Sequence, residues 1–185
     1  MARFAAMLRS INVGGRNRVA MADLRAVVSS LGFGDVATYL QSGNVVFSGT
    51  GPASAAGRAI EGRIAADLGV AVPVFVRSDR ELRSVLARTP FADLEVDPRL
   101  LHVTFLVAPA DPEAVRDLDG SSDAFGEDRS QVVGKEVYLY CPGGYGETKL
   151  SNAWIEHRLG RTATTRNWRT VTRLAEMVGI AAADR

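Results

Sequence analysis

The chain has 185 residues, of which 46% are hydrophobic and 23% charged, and its formal net charge is +1. That length suits one domain or two small ones and can bury roughly 70% of the unfolded surface, so no disulfide or metal staple is required. A near-neutral total excludes a global field that would draw the chain to nucleic acid or membrane, and a lone cysteine, Cys141, excludes an intramolecular disulfide.

The apolar residues at the start of the chain are interrupted by Arg3 and Arg9. The stretch is too short and too charged for a signal peptide or a membrane span. With the single cysteine, this leads to the expectation of a cytoplasmic protein.

Residues 3–9 read as a strand with Phe4, Ala6 and Leu8 on one face. The Gly-rich loop INVGGRNRVA follows. Met21, Leu24, Val27, Val28 and Leu31 then recur at helical spacing, and Gly32 supplies the stop. VATYL and NVVFS are short strands joined by a turn at Gln41, Ser42 and Gly43. A second helix opens at TGPAS and stacks Ile60, Ile64 and Leu68 on one face, and VPVFVR (72–77) closes the set as a strand.

This order, β-α-β-β-α-β, is the ferredoxin-like split unit. In its antiparallel sheet the first and second strands run the same way. The Gly-rich loop leaving the first and the QSGN turn leaving the second therefore emerge at one end.

Beyond residue 78 the pattern is less regular. SDRE (78–81) is a capping box opening a helix with Leu82, Val85 and Leu86. LLHVTFLVA (100–108) reads as a buried strand. An acidic segment follows, with Asp111, Glu113, Asp117, Asp119, Asp123, Glu127 and Asp128 against Arg116, and a short helix begins after Pro112. SQVVGKEVYLY reads as a hairpin around Gly134 and Lys135, CPGGYGETK as a loop, and residues 150–159 and 167–178 as closing helices. No tandem repeat is visible. The expected fold class is α+β: a ferredoxin-like first subdomain over 1–78 and a smaller mixed α/β subdomain over 79–185.

Three separated stretches, LRSINVGGRNRVAMADLR, TYLQSGNVVF and TTRNWRTVTRL, together resemble the bacterial family called domain of unknown function 1697. The resemblance implies an α+β fold with a ferredoxin-like part and carries no assigned activity. One departure is Ser10, which stands where the family usually has glycine.

Arg9, Asn12, Gly14, Gly15, Arg16 and Arg18 lie between a strand and a helix. Glycines let successive backbone amides point one way, and a helix N-terminus adds partial positive charge, so the group suits a phosphate or carboxylate. The alternative is a tight loop with solvated arginines. The spacing matches neither a phosphate loop nor a dinucleotide fingerprint. Gln41, Ser42 and Asn44 become polar readers if their turn meets this loop; otherwise the amides serve the turn itself.

In TTRNWRTVTRLAEM, Asn167 or Thr165 can cap a helix whose apolar face carries Trp168, Val171, Ala175 and Val178. Arg166, Arg169 and Arg173 lie opposite, as a solvated or internally paired face or as a nucleic-acid surface. Arg158 and Arg161 extend the basic run, and the acidic segment is one possible neutraliser. VYLYCPGGYGETKLSNAW resembles a phosphate loop in outline only, since Glu147 and Thr148 separate Gly146 from Lys149. A Cys141–His102 or Cys141–His157 dyad has little support, His102 reading as a packed strand residue, and no metal-ligand spacing is present.

The sequence thus points to a non-catalytic binding protein for a small anionic, phosphate-bearing ligand, without a cofactor, metal or membrane partner. Two alternatives stand beside it: an enzyme acting on a phosphorylated or nucleotide substrate in the same pocket, and a nucleic-acid module using the C-terminal arginines.

Overall fold

A computed structural model describes residues 1–15, 17–94, 96–119 and 125–180. In the first half, β1 (Ala2–Leu8), α1 (Met21–Ser30), β2 (Gly34–Tyr39), β3 (Asn44–Gly49), α2 (Ala53–Leu68) and β4 (Val74–Ser78) are followed by α3 (Asp79–Ala87). In the second, β5 (Leu101–Leu106), α4 (Pro112–Asp119), β6 (Arg129–Val133), β7 (Glu136–Tyr140), α5 (Asn152–Leu159) and β8 (Ala163–Asn167) are followed by α6 (Trp168–Met177).

Each half contains a four-stranded antiparallel sheet, ordered β2-β3-β1-β4 and β6-β7-β5-β8. The expected ferredoxin-like order holds in the first half. The second half repeats it element for element, so the fold carries a tandem repeat where the sequence displays none. Backbone bonds match as well. Arg9 N–H donates to Pro73 O at 3.0 Å as Val107 N–H does to Thr162 O at 3.0 Å, and Leu8 N–H to Gly43 O at 2.8 Å as Leu106 N–H does to Lys135 O at 2.8 Å. The registers Phe4↔Ser78 and His102↔Asn167 align the two copies residue by residue.

The repeat escapes the sequence because β8 does. Ala163–Asn167 is mostly polar, and its extended state rests on pairing with β5. Local pattern cannot separate such a segment from a helix-capping loop, although its two threonines favour a strand.

In the first unit, Phe4, Ala6 and Leu8 of β1 and Val45 and Phe47 of β3 pack beneath Leu24, Val27 and Val28 of α1 and Ile60 and Ile64 of α2. The period-2 and period-3.6 patterns meet in one core, each large side chain stabilising it by roughly 1.5–3 kcal/mol. The second core joins Leu106, Val137, Leu139 and Ala163 to Leu118, Ile155 and Leu159. Backbone contacts divide the chain into Met1–Ser84 together with the chain from Arg173 onward, and Val85–Thr172. This differs from a single cut at residue 78, because the divisions fall inside α3 and α6.

Helix starts follow the capping signals. Ser78 and Glu81 form the reciprocal box, with Ser78 N–H to Glu81 Oε2 at 2.9 Å and Glu81 N–H to Ser78 Oγ at 3.2 Å. Asn167 caps α6 by accepting from Arg169 N–H at 3.0 Å. By contrast, Ala20 precedes α1 and gives it no side-chain cap. Among the described residues, no helix is long and apolar enough to cross a membrane.

Candidate functional site

Since β3 is antiparallel to both β1 and β2, the loop after β1 and the turn after β2 leave the sheet at the same end. Several residues there occupy the left-handed region: Ser10 at φ +52°, Asn12 at +55°, Gly14 at +58°, Gly15 at +76° and Asn17 at +48°. Asparagine and glycine are the residues that tolerate it best. The dihedral at Ser10 also supplies a local reason for a glycine preference at that position. In the turn, Gly43 is at φ +76°, and a Cβ there would lie 2.5 Å from Ile11 Cδ1. Gly43 therefore permits both the turn and its close approach to the loop.

Asn12 fastens loop to turn. Its Nδ2 donates to Val19 O at 2.9 Å and to Gln41 O at 2.8 Å, while its Oδ1 accepts from Val19 N–H at 2.9 Å. With both amide hydrogens and the oxygen engaged, Asn12 is a structural staple. Next to it lies a pocket of about 430 Å³, lined by Asn12, Gly15, Arg18, Val19, Ala20 and Gln41. Arg18 and Gln41 are exposed, and their side chains make no hydrogen bond or ion pair among the described residues. The pocket also borders the uncapped start of α1, whose first-turn amides gain no acceptor from a cap side chain.

The other candidates are placed differently. Gly14 is exposed, next to Gly15. Arg9 is half-buried at the end of β1 and does not line the pocket. Arg16 lies outside the described residues. Asn44, expected as a possible reader, is fully buried and donates to Tyr39 O at 3.0 Å and Ser42 Oγ at 3.0 Å. The two amides of the turn thus divide their labour: Asn44 and Ser42 build it, and Gln41 stands free of it.

The C-terminal arginines do not form one face. Arg166 belongs to β8 rather than to the helix; it is buried and donates to Thr164 Oγ1 at 2.9 Å and Thr165 O at 2.9 Å. Burial pulls its guanidinium down to about 10, still charged at neutral pH. Arg169 approaches Asp97 at 3.8 Å and Arg173 pairs with Glu176 at 2.8 Å, so acids outside 111–128 accompany them. From the acidic segment, Asp117 lies 4.0 Å from Arg158. Asp123 is outside the described residues. Trp168 is buried in the core, as its apolar face predicts.

A polar cluster in the second unit was invisible in the sequence. The His102 ring stacks on Tyr145 with centroids 4.6 Å apart, and its Nε2 lies 3.2 Å from Asn167 Nδ2. Asn167 Nδ2 also donates to Arg99 O at 2.9 Å and Leu101 O at 3.2 Å, which fixes the amide's orientation. Beside the ring, Thr104 and Thr165 hydroxyls lie 2.8 Å apart, and Thr165 donates to Asn152 Oδ1 at 3.0 Å. The positions equivalent to His102, Thr104 and Thr165 in the first unit are Phe4, Ala6 and Val76, all apolar. Burial lowers the His102 pKa, partly offset by the Leu100 carbonyl.

Cys141 is buried and its thiol is pushed up to about 11, chiefly by burial, which leaves it protonated and unreactive as a nucleophile. In the loop of phosphate-loop outline, Thr148 donates to Asp128 Oδ2, placing a carboxylate where a phosphate would be repelled. Among the described residues, no three His, Cys, Asp or Glu side chains group as a metal site.

The chain is thus an α+β protein of two tandem ferredoxin-like units, with a loop-and-turn pocket on the first. Residues 1–138 match the family described as Protein of unknown function (DUF1697), and the chain belongs to that family. The matched span contains the first two motifs that carry the resemblance; TTRNWRTVTRL lies beyond it. In fold the chain is similar to the conserved bacterial protein SP0830 from Streptococcus pneumoniae, with a TM-score of 0.71 and 22% identity over 96% of this chain and 98% of that one. No curated protein matches the chain at a significant level.

Proposed function

We propose that the protein binds a small phosphate-bearing anion in the pocket between the INVGGRNR loop and the QSGN turn. The observation that carries this reading is the convergence of Arg18, Gln41 and the uncapped start of α1 on one pocket. A guanidinium with no partner among the described residues supplies charge, and first-turn amides supply oriented donors. The second unit offers an internal contrast. Its equivalent loop, Val107 to Pro112, has no glycine or arginine and includes Asp111.

Binding without turnover fits the lining, which holds no carboxylate and no imidazole to act as a general base. The nucleic-acid reading loses support from the burial of Arg166 and the ion-pairing of Arg173.

Isothermal titration with inorganic pyrophosphate at low ionic strength tests the reading. Arg18→Ala is expected to weaken binding about tenfold. Absence of binding to the wild type, or an unchanged affinity in the variant, would overturn it.

A further inference from the structure

We infer that His102 is a proton-sensitive latch on the start of α6: while its ring is neutral Asn167 caps the helix, and a proton taken up by the ring releases that cap. The Asn167 amide ties two segments together. Its Oδ1 accepts from Arg169 N–H at 3.0 Å, and its Nδ2 donates to Arg99 O at 2.9 Å and Leu101 O at 3.2 Å. The same Nδ2 lies 3.2 Å from His102 Nε2. An amide nitrogen donates and cannot accept, whereas an imidazolium carries a hydrogen on both ring nitrogens. Protonation therefore sets two donors against each other, whichever tautomer precedes it. The ring is buried and stacked on Tyr145 at 4.6 Å, which leaves it little room to withdraw. Turning the amide over would offer the ring an acceptor, but it would strip the cap from Arg169 and set Oδ1 against the Arg99 and Leu101 carbonyls.

The first unit has the same arrangement without the proton. The registers Phe4↔Ser78 and His102↔Asn167 make Ser78 the counterpart of Asn167, and each caps the helix that follows its strand. Opposite Ser78 stands Phe4, which has nothing to titrate; opposite Asn167 stands His102. In the sheet, the ring is flanked by Leu139 of β7 and Asn167 of β8. Tyr145, a phenol kept protonated by burial, stacks on it from the Gly-rich loop. At the turn Pro98–Leu100, Asp97 and Arg99 pair with each other at 2.5 Å, and Asp97 approaches Arg169 of α6 at 3.8 Å. Among the described residues no carboxylate bonds or pairs with the imidazole, so only the Leu100 carbonyl favours its charged form. Burial wins and lowers its pKa, so the cap is held at neutral pH and lost as pH falls below 6.5 through that depressed value.

Nuclear magnetic resonance of the full chain between about pH 7.5 and 5 tests the latch. The His102 ring signals give its titration, and hydrogen-exchange protection, corrected for intrinsic rates, is followed at the Arg169 and Glu81 amides. Glu81 N–H, held by Ser78 Oγ at 3.2 Å, is the internal control. The expected result is at least about a fivefold loss of Arg169 protection, with the same midpoint as the His102 titration, and less than about a twofold change at Glu81. In His102→Phe the Arg169 protection is expected to stay level across the range. Arg169 protection that holds while His102 titrates would overturn the inference, as would a loss that persists in His102→Phe. A ring still neutral at the lowest pH, or Glu81 losing protection in parallel, would also overturn it, the latter by showing global rather than local opening. Should His102→Phe fail to fold, the wild-type midpoints and the Glu81 control decide the point alone.

Discussion

Asn12 and Gln41 are 29 residues apart in the chain and are joined by a hydrogen bond of 2.8 Å from the Asn12 amide to the Gln41 carbonyl. That bond converts two separately coded loops into one pocket wall. It depends on β1 and β2 running in the same direction, hence on the sheet order. Disturbing the approach of loop and turn should therefore damage stability and binding together.

Gly43→Ala is expected to destabilise the protein by roughly 2–4 kcal/mol, through the left-handed backbone and the overlap of a new Cβ with Ile11. Urea unfolding followed by tryptophan fluorescence measures this directly. Gly14→Ala, with open space around its Cβ, should show only the backbone part.

Asp23 occupies the first turn of α1, where it offsets the positive end of the helix beside the pocket. Asp23→Asn is expected to raise pyrophosphate affinity about two- to fivefold at low salt. The gain should shrink as ionic strength rises, because the charge is exposed. Titrations at two salt concentrations distinguish this from a change in fold.

His102 gives stability a defined pH dependence. Burial lowers its folded-state pKa below 6.5, so the unfolded chain binds a proton more readily than the folded one. The stability is fully present above about pH 6.5 and is lost as pH falls through the depressed folded value. Melting temperatures across pH 7 to 5 should fall less steeply for His102→Phe, which installs the residue type the first unit has at Phe4.

Arg166 and Arg169 are three residues apart, yet their replacement should have unequal effects. Arg166→Ala is expected to cost about 2–3 kcal/mol, since it strips a buried donor from Thr164 and Thr165. Arg169→Ala, at an exposed site, should change stability by about 0.5 kcal/mol or less. Parallel urea titrations decide the point.

Cys141 should resist thiol reagents in the folded protein. With its thiol pushed up to about 11 and fully buried, modification at pH 8 is expected at least ~100-fold slower than in guanidinium-unfolded chain. A fast reaction of the native protein would place the thiol at the surface.

Much of the first unit was legible because its signals are local. Phe4, Ala6 and Leu8 alternate, Ile60, Ile64 and Leu68 recur four apart, and Ser78–Glu81 is a box closed within one helical turn. Such patterns mark which face is buried and where a helix starts, whatever the rest of the chain does. Even the meeting of loop and turn followed from the element order, because an antiparallel arrangement of those four strands dictates which ends coincide. What each side chain does at that meeting was not legible. Asn12, Gln41 and Asn44 carry the same amide, and only the tertiary contacts assign two of them to structure and leave one facing the pocket.

The second unit shows where local pattern ends. Leu8 and Leu106 are identical across the two copies, but Phe4, Ala6 and Val76 correspond to His102, Thr104 and Thr165. A repeat written in different side chains leaves no periodic trace, and β8 becomes a strand because β5 offers it hydrogen bonds. The sequence by itself determined the hydrophobic faces, the helix caps and the first unit's topology. Tertiary structure decided the duplication, the burial of Arg166 and Asn44, and the pocket. Those depend on pairings between residues distant in the chain, and no local propensity encodes them.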